Sequence, residues 1–345
     1  MKRLIIAIIA STLLSSCLND SDDYVVLQDD PVIAEFLPNL SDLNLFIGNQ
    51  QDLVLNVTLA YLQVLNSKAV LDLTQQRYEA TKKQLKIQKD LLQFGIVGLH
   101  DAGVNQTELS RFKEMEKSGD LKISIYPMLS NNEENIQYLI EKGKTQTDRI
   151  NVQSIKCFAD GALGSRGACM KENYRDSDTK GSILIEEDAL NALAKFCIDN
   201  DMQLNTHCIG DSSFSWVVKT YAKYLEKGND RRWRIEHAQV IDPLDLKIMK
   251  EYNIIPSVQP CHALSDMNWV QDRIGERDTF AYNYRLLKNN ANFIISGTDF
   301  PLESPNPFAN FLAGTKRQFL DLTPANGYKR NAALSKMEML TVKKN

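Results

Sequence analysis

A regular alternation of short apolar runs and helical stretches after Gly95 constrains the fold of this chain more than any other feature. The apolar runs are rich in β-branched residues, and a polar stretch of helical character follows each of them. This alternation is typical of an α/β protein with a parallel sheet and crossover helices. The runs are IVGLHDAG (96–103), KISIYPML (122–129), NVQSIKCFADG (151–161), QLNTHCIG (203–210), RWRIEHAQ (232–239), IIPSVQP (254–260) and NFIISGTDF (292–300). Seven strands predict an incomplete TIM-type barrel, because a complete one has eight.

A long helix is predicted before the first strand. No glycine or proline interrupts the chain between Gly48 and Gly95, and this stretch is rich in alanine, leucine, glutamine and lysine. Apolar residues recur at helical spacing, as at Leu55, Leu59 and Leu62. The predicted helix over residues 48–95 is much longer than an average helix of about 11–12 residues.

The first 17 residues, MKRLIIAIIASTLLSSC, have the pattern of a secretory signal: two basic residues, an apolar run and small residues before Cys17. The cysteine after LLSS resembles a bacterial lipobox, which predicts a lipid anchor on Cys17 and a location in the bacterial cell envelope. Ordinary signal-peptidase cleavage beside an incidental cysteine is the alternative. Residues 18–47 are interpreted as a tether.

Composition limits the partners of the protein. A net charge of −4 over 345 residues provides no basic surface, so nucleic acid is not an expected partner. That length accommodates one large α/β barrel or two average domains. The five remaining cysteines are odd in number and most lie in apolar runs, so we expect buried thiols rather than a disulfide framework.

Potential metal ligands collect where the predicted strands end. Functional residues of an α/β barrel lie at the carboxyl ends of its strands. All four histidines of the chain fall at or near such ends, together with acidic and basic residues. The residues at these positions are His100, Asp101, Lys156, Asp160, His207, His237, His262 and Asp299.

Imidazole and carboxylate groups that converge in this way suit a divalent metal, most simply zinc. Such a site activates water, and Asp299 is placed to take its proton and pass it to a leaving amine. Lys156 lies inside a predicted strand, where a buried ammonium needs a partner. Two alternatives are carbamylation to a metal-bridging anion and a salt bridge to Asp160 or a neighbour. For His100 a structural role is expected, whereas His262 either orients substrate or fills a turn.

Several of these motifs, in this order, resemble the YtcJ-like branch of the amidohydrolase superfamily (amidohydrolase family 3) over about residues 90–325. They are IVGLHDAG, IKCFADGALGSRGA, LNTHCIGD, RIEHAQV, VQPCHALSDMNWVQDRIGERDTFAYNYRLL and ISGTDFPLESPNPF. The resemblance implies a metal-dependent barrel that hydrolyses carbon–nitrogen bonds of a small molecule. It implies that His207, His237 and Asp299 are metal ligands and that Lys156 matches a carboxylated lysine. The positions that it implies for substrate binding are Asp160, Arg166, His262 and Arg277.

Two departures from that family pattern stand out. The H-x-H motif of its first strand, which supplies two metal ligands, occurs nowhere in the sequence. Residues 50–85 instead resemble a helix of TolC-like outer-membrane efflux proteins. The sequence therefore predicts five segments: a signal peptide (1–17), a tether (18–47), a long helix (48–95), an amidohydrolase barrel (96–325) and a truncated tail (326–345).

Three functions are compatible with this pattern. The first is a metal-dependent hydrolase that acts on non-peptide carbon–nitrogen bonds through activated water. The second is a catalytically inactive hybrid or truncated chain that lacks the H-x-H ligands. The third is an envelope or efflux component that acts through the long helix.

Overall fold

The computed structural model describes residues 50–341, 343 and 344. The predicted signal peptide with Cys17 and the predicted tether lie outside the described residues, as do residues 48 and 49 of the predicted helix. The chain divides into two compact units, residues 1–84 and residues 85–345, which are described separately.

The described part of the first unit is a single helix, α1, which spans Gln50–Gln93 and continues into the second unit. The prediction of a long helix before the barrel is confirmed. Several of its leucines are exposed, including Leu59, Leu62 and Leu71. None of the described helices is both long enough and apolar enough to span a bilayer.

The second unit is built on a parallel sheet of seven barrel strands and one two-residue strand, so the predicted incomplete TIM-type barrel is confirmed. Neighbouring strands are parallel throughout, and the sheet order follows the chain order. The strands are β1 (Gly98–Val104), β2 (Ser124–Ser130), β5 (Ser154–Phe158), β6 (Gln203–Cys208), β7 (Arg234–His237), β8 (Ile255–Val258), β9 (Ile295–Ser296) and β10 (Lys343–Lys344). A separate antiparallel pair, β3 (Thr145–Gln146) and β4 (Asn151–Val152), precedes β5.

Helices follow most of the strands, as in the predicted βα repeat. The α-helices are α2 (Gln106–Ser118), α3 (Glu133–Lys142), α4 (Glu187–Asp199), α5 (Asp211–Tyr224), α6 (Leu246–Glu251), α7 (His262–Ser265), α8 (Val270–Ile274), α9 (Tyr284–Asn289), α10 (Pro307–Lys316) and α11 (Lys336–Thr341). Short 3₁₀ helices span Pro243–Asp245, Gly275–Phe280 and Arg330–Ala332.

Local sequence sets the ends of the first crossover helix. Asn105 caps α2 by accepting a hydrogen bond from the backbone of Glu108, whose side chain accepts one from Asn105 in return. This capping box satisfies two amide groups that the helix itself cannot. Gly119 ends the helix with φ +77°, a left-handed conformation that glycine adopts without steric cost.

The two faces of the sheet differ in chemistry. The face that packs against the helices is apolar, with Ile155, Leu204 and Ile235 fully buried. The five cysteines of this part of the chain are free thiols, and Cys157, Cys197 and Cys208 are among its buried residues. The opposite face carries buried polar side chains, which form the floor of the site described below.

We predict that Gly210→Ala destabilises the barrel, because two loops approach closely at this position. A Cβ on Gly210 would lie 2.0 Å from the carbonyl oxygen of Cys169, which is backbone and cannot move aside cheaply. Overpacking of this kind costs about 2–3 kcal/mol of unfolding free energy. Urea unfolding followed by circular dichroism measures the loss.

Gly297→Ala is the matched control, because no heavy atom lies within 4 Å of a Cβ built at Gly297. Its unfolding free energy should stay within about 1 kcal/mol of the parent. Equal stability of the Gly210 and Gly297 variants would contradict the close approach.

Candidate metal centre

Three neighbouring strands bring two histidines and one aspartate together. His237 ends β7, His262 begins α7 shortly after β8, and Asp299 follows β9. Each residue offers a ligand atom, and these atoms all lie within 4.8 Å of one another. The Nε2 atom of His262 lies 4.0 Å from Oδ2 of Asp299. The trio contains two of the predicted ligands, His237 and Asp299, and it also contains His262, which was expected to bind substrate.

The backbone at two members of the trio is strained. His237 has φ +75° and Asp299 has φ +58°, backbone angles that residues other than glycine rarely adopt. Such conformations cost about 1–3 kcal/mol and concentrate at functional sites. Both residues nevertheless place a ligand atom beside His262.

A glutamine that the sequence analysis missed fixes the orientation of His237. Oε1 of Gln259 lies 2.9 Å from Nδ1 of His237, and Nε2 of Gln259 donates to the carbonyl oxygen of Ser257 at 3.3 Å. Because an amide oxygen only accepts, Nδ1 carries the imidazole hydrogen and Nε2 keeps a free lone pair. Burial lowers the pKa of His237 to about 4, so the imidazole is neutral near pH 7. Gln259 directly follows β8, so the strand-end rule could have identified it.

His207 lies beside the trio and lines the same cavity. Its ring centroid is 4.5 Å from that of His237, in an edge-to-face arrangement. Its Nε2 is buried, makes no hydrogen bond within the described structure, and lies 3.8 Å from Oδ1 of Asp160. Burial lowers the pKa of His207 to about 2, which keeps this imidazole neutral as well.

Lys156 is buried on β5 with 3% of its surface exposed. Its Nζ lies 3.5 Å from the centroid of the Phe158 ring, a cation–π contact. The alternative of an ion pair with Asp160 does not form among the described residues, because four other donors occupy that carboxylate. Burial lowers the pKa of Lys156, while the negative charge of Glu236 opposes the shift.

Asp160 is fully buried and binds protein groups. It accepts hydrogen bonds from the backbone amides of Cys169, Ile209 and Gly210 at 2.8–2.9 Å and from the Ser213 hydroxyl at 2.6 Å. These donors belong to the loop after β5, the turn after β6 and the first turn of α5. Asp160 therefore fastens three segments together, and it does not line the cavity beside the trio.

The two arginines expected to bind substrate are also engaged elsewhere. Arg166 forms a two-pronged ion pair with Asp176, at 3.0 and 2.9 Å. Arg277 donates to the carbonyl oxygens of Glu172 and Asn173, at 2.9 and 2.6 Å. Both hold the long loop over residues 161–182, and neither lines the cavity. Sequence alone does not distinguish an arginine that lines a cavity from one that binds the loop forming the cavity wall.

A cavity of about 530 Å³ opens over the trio. Aromatic and aliphatic side chains line part of this cavity. Lys156, His207 and Glu236 are among the polar residues that also line it. Two further carboxylates, Asp266 and Glu303, line it as well. The main apolar residues of the wall are Phe158, Leu163, Trp269 and Leu302.

The floor beneath the cavity is charged, unlike the branched aliphatic interior of most barrels. Arg234, fully buried, contacts Glu236 at 3.1 Å and Oδ1 of Asn205 at 2.8 Å. Burial alone would raise the pKa of Glu236, but Arg234, Ser257 and Lys156 together bring that pKa below its ordinary value. Nη1 of Arg234 also lies 3.2 Å from Nδ1 of His100.

The donor set of the trio fits a divalent metal. Two imidazoles and one carboxylate are the three protein ligands that a catalytic zinc site usually has, with one position left for water or substrate. Gln259 binds Nδ1 of His237. Metal-binding histidines commonly make such a hydrogen bond through the ring nitrogen that does not bind the metal. His100 is not part of this trio, and its ring is stacked on that of Tyr126 with centroids 4.4 Å apart.

Comparison with known proteins places these features in a family. A model of the amidohydrolase family matches residues 58–337. The chain is similar to the putative amidohydrolase YtcJ of Bacillus subtilis, with 32% identity over 171 residues, 49% of this chain and 32% of that protein. It is also similar to protein LONG AFTER FAR-RED 3 of Arabidopsis thaliana, with 28% identity over 52% of this chain and 31% of that protein. The matched region thus spans about a third of each relative.

A solved structure agrees with the fold. An uncharacterized metal-dependent hydrolase from Pyrococcus furiosus superimposes with a TM-score of 0.66 and 26% identity. The match covers 75% of this chain and 52% of the other. The barrel therefore resembles about half of a larger metal-dependent hydrolase.

We predict that Asp160→Asn destabilises the fold by about 3 kcal/mol, because an amide cannot accept four hydrogen bonds and turns its own N–H groups toward other donors. Asp201→Asn is the control, since Asp201 is exposed and its pairs with Lys144 and Arg231 lie at the surface. The control should change the unfolding free energy by less than about 1 kcal/mol. Chemical unfolding of both variants provides the comparison, and similar losses would contradict the role of Asp160.

Proposed function

Because the chain belongs to the amidohydrolase family, we propose that it is a metal-dependent hydrolase of non-peptide carbon–nitrogen bonds in small molecules. The observation that carries this proposal is the convergence of two imidazoles and a carboxylate at the base of a cavity. The name of the Pyrococcus furiosus structure, a metal-dependent hydrolase, supports the same class of chemistry.

The proposed cofactor is a divalent cation, and zinc suits the nitrogen and oxygen donors. Such an ion supplies a Lewis acid that polarises a substrate carbonyl and acidifies water. His237 binds it through Nε2, since Nδ1 is held by Gln259. The family resemblance adds His207, Asp299 and Lys156 to the proposed ligand set.

Asp299 is the proposed catalytic residue. Its carboxylate lies at the edge of the trio and is partly exposed, so it reaches both a water in the cavity and a substrate. It takes a proton from the attacking water and returns it to the departing amine. Nε2 of His262 lies 4.0 Å from Oδ2 of this carboxylate.

The cavity sets the size of the proposed substrate. A volume of about 530 Å³ falls within the range of small-molecule sites, which is about 300–1,000 Å³. Trp269 and Leu163 provide apolar surface in the same cavity as the proposed ligands. Gly164 packs against the Trp269 ring, so the loop over residues 161–182 positions this wall. Asp160, Arg166 and Arg277 therefore contribute to substrate binding by holding the wall.

A catalytically inactive hybrid is the alternative. It is favoured by the absence of an H-x-H motif from the sequence, which removes two ligands that the family pattern supplies. An envelope or efflux role through α1 is a further alternative, supported by the exposed leucines of that helix and the TolC-like resemblance. For each of these three functions we propose a location in the bacterial cell envelope with a lipid on Cys17, based on the leader pattern alone.

Metal content of the purified full chain tests the proposed function. Plasma mass spectrometry should find about one divalent metal per chain, and Asp299→Ala should lose it. Asp299→Asn should lower the hydrolysis of a panel of N-acylated and cyclic amides roughly 100-fold or more, because the amide cannot take a proton.

Asp321→Ala is the matched control, because this exposed aspartate bonds only to the nearby Thr323 among the described residues. It should keep both metal and activity. A parent chain without metal after growth with added zinc would rule out the hydrolase and favour the inactive alternative.

A further inference from the structure

We propose that one side of the cavity binds a cationic nitrogen group of the substrate, an ammonium, amidinium or guanidinium, through Gln239, Asp266 and Glu303. We call these three residues the acceptor patch. The inference rests on the proposed function, because it names the chemical class of substrate that the same cavity takes. None of the three residues was among the site residues predicted from the sequence.

The acceptor patch lies beyond the carboxyl ends of three adjacent strands. Gln239 follows β7, Asp266 follows α7 in the segment after β8, and Glu303 follows β9. All three residues line the cavity of about 530 Å³. A substrate group that contacts them therefore lies in the same cavity as the proposed metal ligands.

Hydrogen bonds hold the acceptor patch in place. Nε2 of Gln239 lies 3.5 Å from Oδ2 of Asp266, and the Tyr282 hydroxyl donates to that same oxygen and accepts from Gln239. The hydroxyl of Ser265, the residue before Asp266, donates to Oε1 of Glu303. Each polar group of the patch is thus fixed on one side, so the patch is preformed in the way that small-molecule sites usually are.

The other side of each group is a hydrogen-bond acceptor without a donor. Oε1 of Gln239, Oδ1 of Asp266 and Oε2 of Glu303 receive no hydrogen bond from the part of the chain that the structure describes. Gln239 is 5% exposed, so little of it contacts solvent. A buried acceptor without a donor costs free energy, and a ligand group with several N–H donors would remove that cost.

Charge provides a second argument, independent of the amide of Gln239. Among the described residues, one ammonium and four carboxylates line the cavity, from Lys156, Glu236, Asp266, Asp299 and Glu303. Glu236 is paired with Arg234, and Asp299 belongs to the metal trio. Asp266 and Glu303 form no ion pair with any described residue, so the acceptor patch carries negative charge without a counter-charge.

The two carboxylates of the patch also affect each other. Burial raises the pKa of Asp266, the hydrogen bond from Tyr282 opposes this shift, and the negative charge of Glu303 adds to it. A cation beside both groups would offset their repulsion and favour their ionised forms. The apolar remainder of such a ligand has the ring of Trp269 in the same cavity to pack against.

A matched pair of small ligands tests the proposal on the full chain. Benzamidine and benzamide have nearly the same size and shape, but only benzamidine is positively charged and offers donors alone. Isothermal titration calorimetry measures the binding of each, on the chain as purified and after dialysis against a chelator. We expect benzamidine to bind at least about tenfold more tightly than benzamide in both preparations, because hydrogen bonds between charged groups are stronger than neutral ones.

Variants assign this preference to the acceptor patch. Asp266→Asn and Glu303→Gln each remove one charge and keep an oxygen that accepts from Tyr282 and Ser265, respectively. Each should lower the affinity for benzamidine about 5–10-fold and leave the weaker binding of benzamide within about twofold. Asp272→Asn is the matched control, because Asp272 is exposed on α8 and does not line the cavity. It should leave both affinities unchanged.

Three results would overturn the proposal. They are equal affinity for the two ligands, parent-like affinity for benzamidine in both patch variants, and an equal loss in Asp272→Asn, which would indicate an effect of net charge alone. Circular dichroism confirms folding, and Glu303→Gln alone decides if Asp266→Asn unfolds. A chain that binds benzamidine but no metal would defeat the proposed hydrolase and keep this inference. A metal-containing, active chain that prefers benzamide would do the reverse.

Discussion

A fully buried arginine organises the interior of the barrel. Arg234 contacts Glu236 on its own strand, Asn205 on β6, His100 on β1 and the sulfur of Met128 on β2. Removing one partner of a buried ion pair typically costs about 3–5 kcal/mol, because the other charge is left without compensation. These contacts join both sides of the curved sheet beneath the cavity. They also keep Glu236 ionised at the floor, directly before His237.

The first and the last strands of the sheet contribute different groups to the site. The first strands contribute support: His100 and Met128 bind the guanidinium, and Lys156 lies under the Phe158 ring. The last strands contribute the candidate ligands. Among the described residues, β1 pairs only with β2, so the supporting side of the sheet is also its open edge.

Sequence reasoning predicted the repeating architecture well because hydrophobic periodicity and parallel-strand geometry are local rules. It also placed His237, His262 and Asp299 at strand ends, which parallel packing brings together. It could not assign Asp160, whose four donors lie 9 to 53 positions away in the chain. Nor could it show that Arg166 and Arg277 bind the loop, because side-chain direction after a strand depends on tertiary contacts. Gln259 was missed because a neutral amide has no distinctive motif.

The hydrogen bonds of Asp160 have a mechanical consequence. One carboxylate binds the loop that forms the cavity wall and the turn that carries the chain from His207 into α5. Separating these two segments would expose a buried carboxylate, so we expect them to move together. We therefore expect a ligand too bulky for the wall to displace His207 as well and to disturb the neighbouring ring of His237. Crowding at the wall is in this way felt at the imidazole, several ångströms from the point of contact.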